Sequence, residues 1–61
     1  MFKDFKTWLV VNHIKQLEIA NLLGVTLQTV NKKINGKSDW TLSEVRTICK
    51  VYGLSAEIFI D

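Results

Sequence analysis

The fold is decided by the stretch QLEIANLLGVTLQTVNKKINGK, which covers residues 16–37. Its apolar pattern predicts one short helix over Gln16–Leu23 and a second over Leu27–Asn35. Gly24 falls between them, where a residue in the left-handed conformation can end the first helix. Thr26 directly precedes the second helix and has the side chain of an N-cap residue. The two helices are the second and third of the chain.

Each of these helices has one apolar face. In the second helix, Ile19, Ala20 and Leu23 are predicted to face the core, and the small Ala20 suits a close crossing. In the third helix, Val30 and Ile34 lie four residues apart and form the inward stripe. The opposite face of the third helix therefore presents amides, hydroxyls and lysines to water. Such groups can bond the edges of DNA bases.

Aromatic residues on either side of this stretch are predicted to close the core. A first helix over Lys3–Val11 places Phe5, Trp8 and Leu9 on one face at helical spacing. Trp40 follows the third helix, and we expect it to plug the core beneath the loop that leads into the fourth helix. Both tryptophans are thus interpreted as core residues rather than as stacking platforms for bases.

The fourth helix has the clearest start signal in the chain. Thr41 and Glu44 form a capping box, Gly53 ends the helix, and a last short turn follows over Ala56–Ile60. The apolar residues at helical spacing in the fourth helix are Leu42, Val45, Ile48, Cys49 and Tyr52. Together the elements predict an all-α fold, a compact bundle of four to five short helices, in one domain over residues 1–61.

The single cysteine and the single histidine narrow the possible chemistry. Cys49 has no partner for an internal disulfide, and with His13 it is too few for a structural zinc site, which needs about four ligands. We expect Cys49 to be an inert buried thiol and His13 a helix-end residue, with no metal, no cofactor and no enzyme activity. The apolar run at 8–11 is far shorter than the roughly 20 residues of a membrane span. A cytoplasmic protein without membrane contact is the simplest expectation.

Positive charge is concentrated on the helix pair. Residues 15–37 contain four lysines and one glutamate, a net charge of +3, whereas the whole chain carries +2. The remainder of the chain is therefore slightly acidic. This distribution favours a polyanionic partner for the third helix, although a solvated lysine face is the alternative interpretation.

The sequence resembles the helix-turn-helix family of phage repressor and Cro-type regulators, which have the five-helix lambda-repressor-like fold. The resemblance covers the chain from Trp8 onward. It rests on Gln16, Ala20, Gly24, Val25-Thr26, Val30, Asn35-Gly36-Lys37, the capped helix Thr41 to Tyr52, and Leu54-Ser55-Ala56-Glu57-Ile58-Phe59. Two positions depart from the family pattern. Lys15 stands where a Ser or Thr cap is common, and Lys33-Ile34 stands where many members have an apolar residue followed by Glu.

The resemblance implies a sequence-specific transcriptional regulator that binds double-stranded DNA. The third helix, 27–35, is then expected to enter the major groove. The residues expected to contact bases are Leu27, Gln28, Thr29, Asn31 and Lys32. The residues expected to contact phosphates are Gln16, Thr26, Asn35, Lys37 and Ser38. Contacts of the second kind set register and affinity without encoding sequence.

A module of this size makes few contacts, so a homodimer on a pseudo-palindromic operator is expected. The apolar end of the chain is the candidate dimer surface, with core closure over the first helix as its alternative. That surface comprises Leu54, Ile58, Phe59 and Ile60. No small-molecule ligand is expected. The competing functional interpretation is a protein-interaction module of the same fold, acting as an antirepressor or antitoxin.

Overall fold

The computed structural model describes residues 4–60. Within that range the chain forms four α-helices, one 3₁₀ helix and no strand. The elements are α1 (Phe5–Val11), α2 (Gln16–Leu23), α3 (Leu27–Ile34), α4 (Leu42–Tyr52) and the terminal 3₁₀ helix (Ala56–Phe59). This confirms the predicted all-α bundle of four to five short helices, with α2 and α3 as the helix-turn-helix. Across the described residues, no helix is both long enough and apolar enough to span a bilayer.

Three helix ends differ from the sequence prediction. Asp4 is the N-cap of α1, and its carboxylate accepts a hydrogen bond from the Thr7 amide at 2.7 Å. The helix therefore begins at the next residue rather than at Lys3, which lies outside the described residues. Asn35 is the C-cap of α3 rather than its last residue, and Ile60 holds the same place after the 3₁₀ helix. In each case the residue serves as a cap instead of extending the helix.

The core contains one fully buried side chain from each of α2, α3 and α4. These are Ile19, Val30 and Ile48, which have no exposed surface. Burial of each such side chain stabilises the fold by roughly 1.5–3 kcal/mol. Ala20 is also buried, which lets α2 and α3 approach closely. The buried residues of α1 are Phe5, Trp8 and Leu9, as predicted.

Aromatic rings tie α1 to the second half of the chain. Phe5 lies 4.7 Å from Phe59 and 5.6 Å from Trp40, measured between ring centroids. Trp8 meets Tyr52 of α4 edge-on at 5.3 Å. Offset and edge-to-face pairs of this kind add stability beyond the area they bury. The prediction of Trp8 as a core residue is confirmed, whereas Trp40 is half-buried against the edge of the core.

The inward face of α4 is narrower than predicted. Ile48 is buried, and Val45 and Tyr52 are half-buried, but Leu42 is 71% exposed. Leu42 is the first residue of α4, and the helix starts beyond the edge of the core, so this side chain reaches the rim of a surface groove. Cys49 is a half-buried free thiol rather than the buried one we expected.

All four α-helices end in the Schellman arrangement, in which a residue with positive φ follows the helix and the next amide donates to a carbonyl five residues back. Glycine supplies the positive φ after α2, α3 and α4, whereas His13 supplies it after α1 with a φ of 57°. There the Ile14 amide donates to the Leu9 carbonyl at 2.9 Å. His13 therefore lies at a helix end, as predicted, but in a conformation that is strained for a residue with a Cβ.

Replacing His13 by glycine is expected to stabilise the fold. The left-handed conformation costs a residue with a Cβ about 1–2 kcal/mol, and the greater freedom of glycine in the unfolded chain offsets about 0.4–1 kcal/mol of the gain. We expect His13→Gly to raise the free energy of unfolding by roughly 0.5–1 kcal/mol in urea denaturation. His13→Val should lower it, because a β-branched residue tolerates positive φ poorly. A glycine variant less stable than the wild type would contradict this account.

Candidate nucleic-acid interface

The turn between α2 and α3 sets the position of α3. Gly24 follows α2 with a φ of 69°, and the Val25 amide donates to the Ala20 carbonyl at 3.0 Å. Thr26 then caps α3 by accepting a hydrogen bond from the Thr29 amide at 3.2 Å. Because the end of α2 and the start of α3 are both hydrogen-bonded, the turn leaves little freedom between the two helices.

The exposed face of α3 carries the side chains expected to read bases. Gln28, Asn31 and Lys32 are exposed, and Leu27 is 46% exposed, while Val30 on the opposite face is buried. One residue from α2 and one from the loop after α3 join them around a shallow surface depression. Its lining consists of Gln16, Leu27, Gln28, Asn31, Lys32 and Lys37.

A side-chain hydrogen bond joins α2 to α3 in this depression. Asn31 Nδ2 donates to Gln16 Oε1 at 3.1 Å. Since the Gln16 oxygen accepts from the protein, the Gln16 Nε2 group is left to donate to a ligand. Asn31 correspondingly offers its Oδ1 as an acceptor. The two amides thus present one donor and one acceptor to whatever occupies the depression.

The start of α2 is open to an anion. Lys15 is the N-cap of α2 but makes no capping hydrogen bond with its side chain. Asp4, Thr26 and Thr41, in contrast, cap α1, α3 and α4 with their side-chain oxygens. Within residues 4–60, α2 is therefore the one α-helix whose N-cap side chain accepts no hydrogen bond. The Glu18 amide donates to the Lys15 carbonyl at 3.0 Å, and the Glu18 carboxylate also lies in this first turn. Unpaired amides at the positive end of a helix dipole form a natural phosphate site, and Gln16 stands in that first turn.

Four of the predicted contact residues lie outside the depression. Thr29 is half-buried, and its hydroxyl lies 2.9 Å from that of Thr26, so both hydroxyls are engaged at the start of α3. Asn35 is exposed after α3, with its Nδ2 donating to the Asn31 carbonyl at 2.9 Å. Ser38 is exposed on the other side of the α3–α4 loop. The structure thus gathers six of the predicted residues and leaves these four at the edges.

A salt bridge that the sequence analysis did not predict holds the second half of α3. Lys33 Nζ contacts Glu44 Oε1 of α4, and the two side chains are 10% and 13% exposed. The Lys33 ammonium also lies 5.8 Å from the centroid of the Trp40 ring. The one available signal was Lys33 itself, because a lysine at a position that is often apolar requires a partner. This pairing withdraws one of the four lysines from the exposed basic surface.

Glu44 serves two functions with one carboxylate. It accepts one hydrogen bond from the Lys33 ammonium and another from the Thr41 amide at 2.8 Å. The second of these completes the capping box of α4. Burial raises the pKa of Glu44, but the hydrogen bonds from Lys33 and Thr41 outweigh burial and hold the pKa below its ordinary value of 4.5. The ionised carboxylate therefore fixes α3 against the start of α4.

The candidate dimer surface divides into two parts. Phe59 packs on Phe5 of α1, and Leu54 and Ile58 are half-buried against the core, so these three residues belong to the packed bundle. Ile60, in contrast, is 67% exposed. Core packing accounts for the first part, and Ile60 remains exposed.

The sequence of the chain matches the profile of a known domain family. The profile of the BetR domain matches residues 6–61, which include all four α-helices apart from the first residue of α1. The chain belongs to the BetR domain family. A BetR domain is a small helical domain of helix-turn-helix-like regulators, and the exposed face of α3 agrees with DNA as a partner. No curated protein and no solved structure matches the chain.

The stability of this BetR domain is expected to depend on pH through Glu44. Because the pKa of Glu44 is lowered by folding, its contribution is complete above about pH 4.5 and is lost as the pH falls through the folded-state pKa. Glu44→Gln should therefore lower the free energy of unfolding by about 1–2 kcal/mol near pH 7, measured in urea, and by progressively less as the pH falls below about 4.5. Glu18→Gln, which removes an exposed carboxylate, is the control and should change it by less than about 0.5 kcal/mol. An equal loss near pH 7 and well below about pH 4.5 for Glu44→Gln would refute the ionic role.

Proposed function

We propose that this BetR domain is a sequence-specific, double-stranded DNA-binding transcriptional regulator of the phage repressor or Cro type. The observation that carries the proposal is the row of amide and ammonium groups on the exposed face of α3, joined by Gln16 from α2. The major groove admits one α-helix, and its base edges offer the donors and acceptors that these groups match. The domain acts in the bacterial cytoplasm and has no catalytic role.

The base contacts follow from the chemistry of the exposed side chains. Gln28 can bond N6 and N7 of adenine in bidentate fashion, and Lys32 can donate to O6 or N7 of guanine. The half-exposed Leu27 can pack on a thymine methyl group, which gives an apolar residue a partner on an otherwise polar face. Asn31 presents its oxygen beside Gln16 and can accept from an exocyclic amino group of adenine or cytosine. Thr29 lies at the edge of this set.

The phosphate contacts lie on either side of the base contacts. Gln16 and the uncapped amides of α2 suit one phosphate, because donor groups and the helix dipole converge there. Lys37, in the loop after α3, suits a phosphate on the other side of α3. Thr26, Asn35 and Ser38 occupy the edges of the surface. Such contacts position α3 in the groove without reading sequence.

Two copies of the domain are proposed to bind a pseudo-palindromic operator as a homodimer. Half-sites one helical turn apart, about 34 Å, present the same face of the duplex to both copies. Ile60 and Leu42 are strongly exposed and line the same groove, so they supply an apolar surface for contact between the two copies.

A protein-interaction module is the second candidate function. Its support is the exposure of Leu27 and Leu42, since apolar side chains at the surface also suit a protein partner. On this alternative Leu27 lies in a protein interface, and the domain has no salt-dependent affinity for DNA. Titration with random duplexes at low and at physiological salt separates the two candidates.

Replacing Gln28 by alanine is expected to relax sequence preference at one base position. The loss of a bidentate contact should weaken binding to the selected operator by about 1–3 kcal/mol and leave binding to random duplexes nearly unchanged. Competitive binding to operator variants measures both effects. Lys37→Ala is the contrast, because losing a phosphate contact should weaken all duplexes alike and lower the salt slope by about one unit. Equal losses on operator and random DNA for Gln28→Ala would show that Gln28 does not read a base.

Replacing Ile60 by aspartate is expected to separate dimer formation from folding. Because Ile60 is 67% exposed, the substitution should leave the free energy of unfolding of the single domain nearly unchanged while it opposes contact between two copies. Sedimentation with and without operator DNA measures the oligomeric state. Val10→Asp is the matched control, since Val10 is 69% exposed on α1 and the change in charge is the same. Equal dimerisation of the two variants would exclude Ile60 from the dimer contact.

A further inference from the structure

Lys6 of α1 reaches the end of α3. Its Nζ donates to Asn35 Oδ1 at 3.1 Å, across a sequence separation of 29 residues. Lys6 is exposed, and an ammonium group has three N–H donors, so donors remain for a ligand from solvent. In the sequence, Lys6 belongs to the slightly acidic remainder of the chain, whereas the fold brings its charge beside the loop that follows α3.

The side chain of Asn35 is already engaged within the protein. Its Oδ1 accepts from Lys6, and its Nδ2 donates to the Asn31 carbonyl at 2.9 Å. Because both its oxygen and its nitrogen are hydrogen-bonded, the Asn35 amide has a fixed orientation and can in turn orient the Lys6 ammonium. Asn35, which the sequence analysis placed among the phosphate contacts, therefore holds the Lys6 ammonium at the end of α3.

Hydrogen bonds connect Lys6 to the exposed face of α3. Asn35 binds the Asn31 carbonyl, and the Asn31 side chain binds Gln16 in the first turn of α2. A continuous line of polar contacts thus runs from the open end of α2, across α3, to α1. One end of the line is the start of α2, and the other end is Lys6, whose ammonium group has N–H donors left over.

We propose that Lys6 contacts a DNA backbone phosphate and that Asn35 positions it for this contact. The inference rests on the proposed DNA-binding function and extends the interface from α2 and α3 onto α1. Asp4 and Asp39 line the same groove as Lys6, and their negative charges offset part of its positive electrostatic potential. The Asp4 carboxylate is held by the Thr7 amide as the cap of α1. The expected effect of Lys6 is therefore that of a single phosphate contact.

A purely structural role for Lys6 and a phosphate contact require different properties of the side chain. To hold Asn35, Lys6 needs only a hydrogen-bond donor, whereas a phosphate contact that releases counterions needs a positive charge. Lys6→Gln keeps a donor and removes the charge, and Lys6→Arg keeps both. Lys50→Gln is the matched control, because Lys50 is an exposed lysine in the last turn of α4 and its loss changes the net charge equally.

The test measures dissociation constants of the full chain for its selected operator and for a random duplex over a series of salt concentrations. We expect Lys6→Gln to weaken both complexes about threefold to tenfold at low salt and to lower the salt slope by about one unit. Lys6→Arg should restore both quantities, and Lys50→Gln should leave the slope unchanged. Asn35→Ala should add little to Lys6→Gln, because the two residues act as one unit.

The outcomes separate this inference from the function on which it rests. A wild-type protein that binds DNA, with Lys6→Gln and Lys50→Gln giving the same slope, would overturn the Lys6 contact and leave the proposed function standing. Full additivity of Asn35→Ala and Lys6→Gln would overturn the positioning role of Asn35. A wild-type protein that binds neither duplex at any salt concentration would overturn the proposed function itself, and the Lys6 contact with it.

Discussion

Burial of Val30 is the constraint on which the proposed interface depends. An isolated helix of eight residues is unstable in water, so α3 exists because one of its faces packs into the core. Val30 joins Ile19 and Ile48 in a single buried cluster, and Ile34 packs against it four residues later. With those two positions inward, the helical period directs the face of α3 that begins at Gln28 toward solvent. The polar face therefore follows from apolar packing.

Each of the other α-helices also holds α3 through one polar contact. Asn31 is bound from α2, Lys33 from α4 and Asn35 from α1. These contacts lie within about one turn, in the second half of α3 and at its cap, while Thr26 and the core fix the first half. Side chains that are already oriented lose less conformational entropy on binding. A surface prepared in this way is suited to discriminating among ligands that differ by a single hydrogen-bonding group.

Local signals in the sequence were sufficient for most of the fold and insufficient for its long-range polar contacts. Capping residues, left-handed turn positions and apolar spacing are each confined to a few neighbours, so they predict helices and their inward faces. No such signal shows that Lys33 meets a residue of α4 or that Lys6 meets Asn35, because these pairs depend on how whole helices pack. Leu42 illustrates the same limit, since periodicity gives the face of a helix but not where the core ends. The outward set on α3 was predictable from Val30 and Ile34 alone, whereas the role of Asn35 was not.

The small amount of positive charge determines how such a surface can act on DNA. Lys33 is neutralised by Glu44, so Lys6, Lys32 and Lys37 are the exposed lysines beside or on α3. Because Lys32 is proposed to contact a base, Lys6 and Lys37 are the two of these lysines proposed to contact phosphates. Two such contacts correspond to a salt slope near −2, which gives one domain only weak affinity for DNA of arbitrary sequence at physiological salt. Weak nonspecific binding keeps the domain from being occupied by the excess of competing sites. On the proposed function, occupancy of an operator then depends on base contacts by α3 and on a second copy, because linking two such surfaces multiplies their affinities only where both half-sites are present.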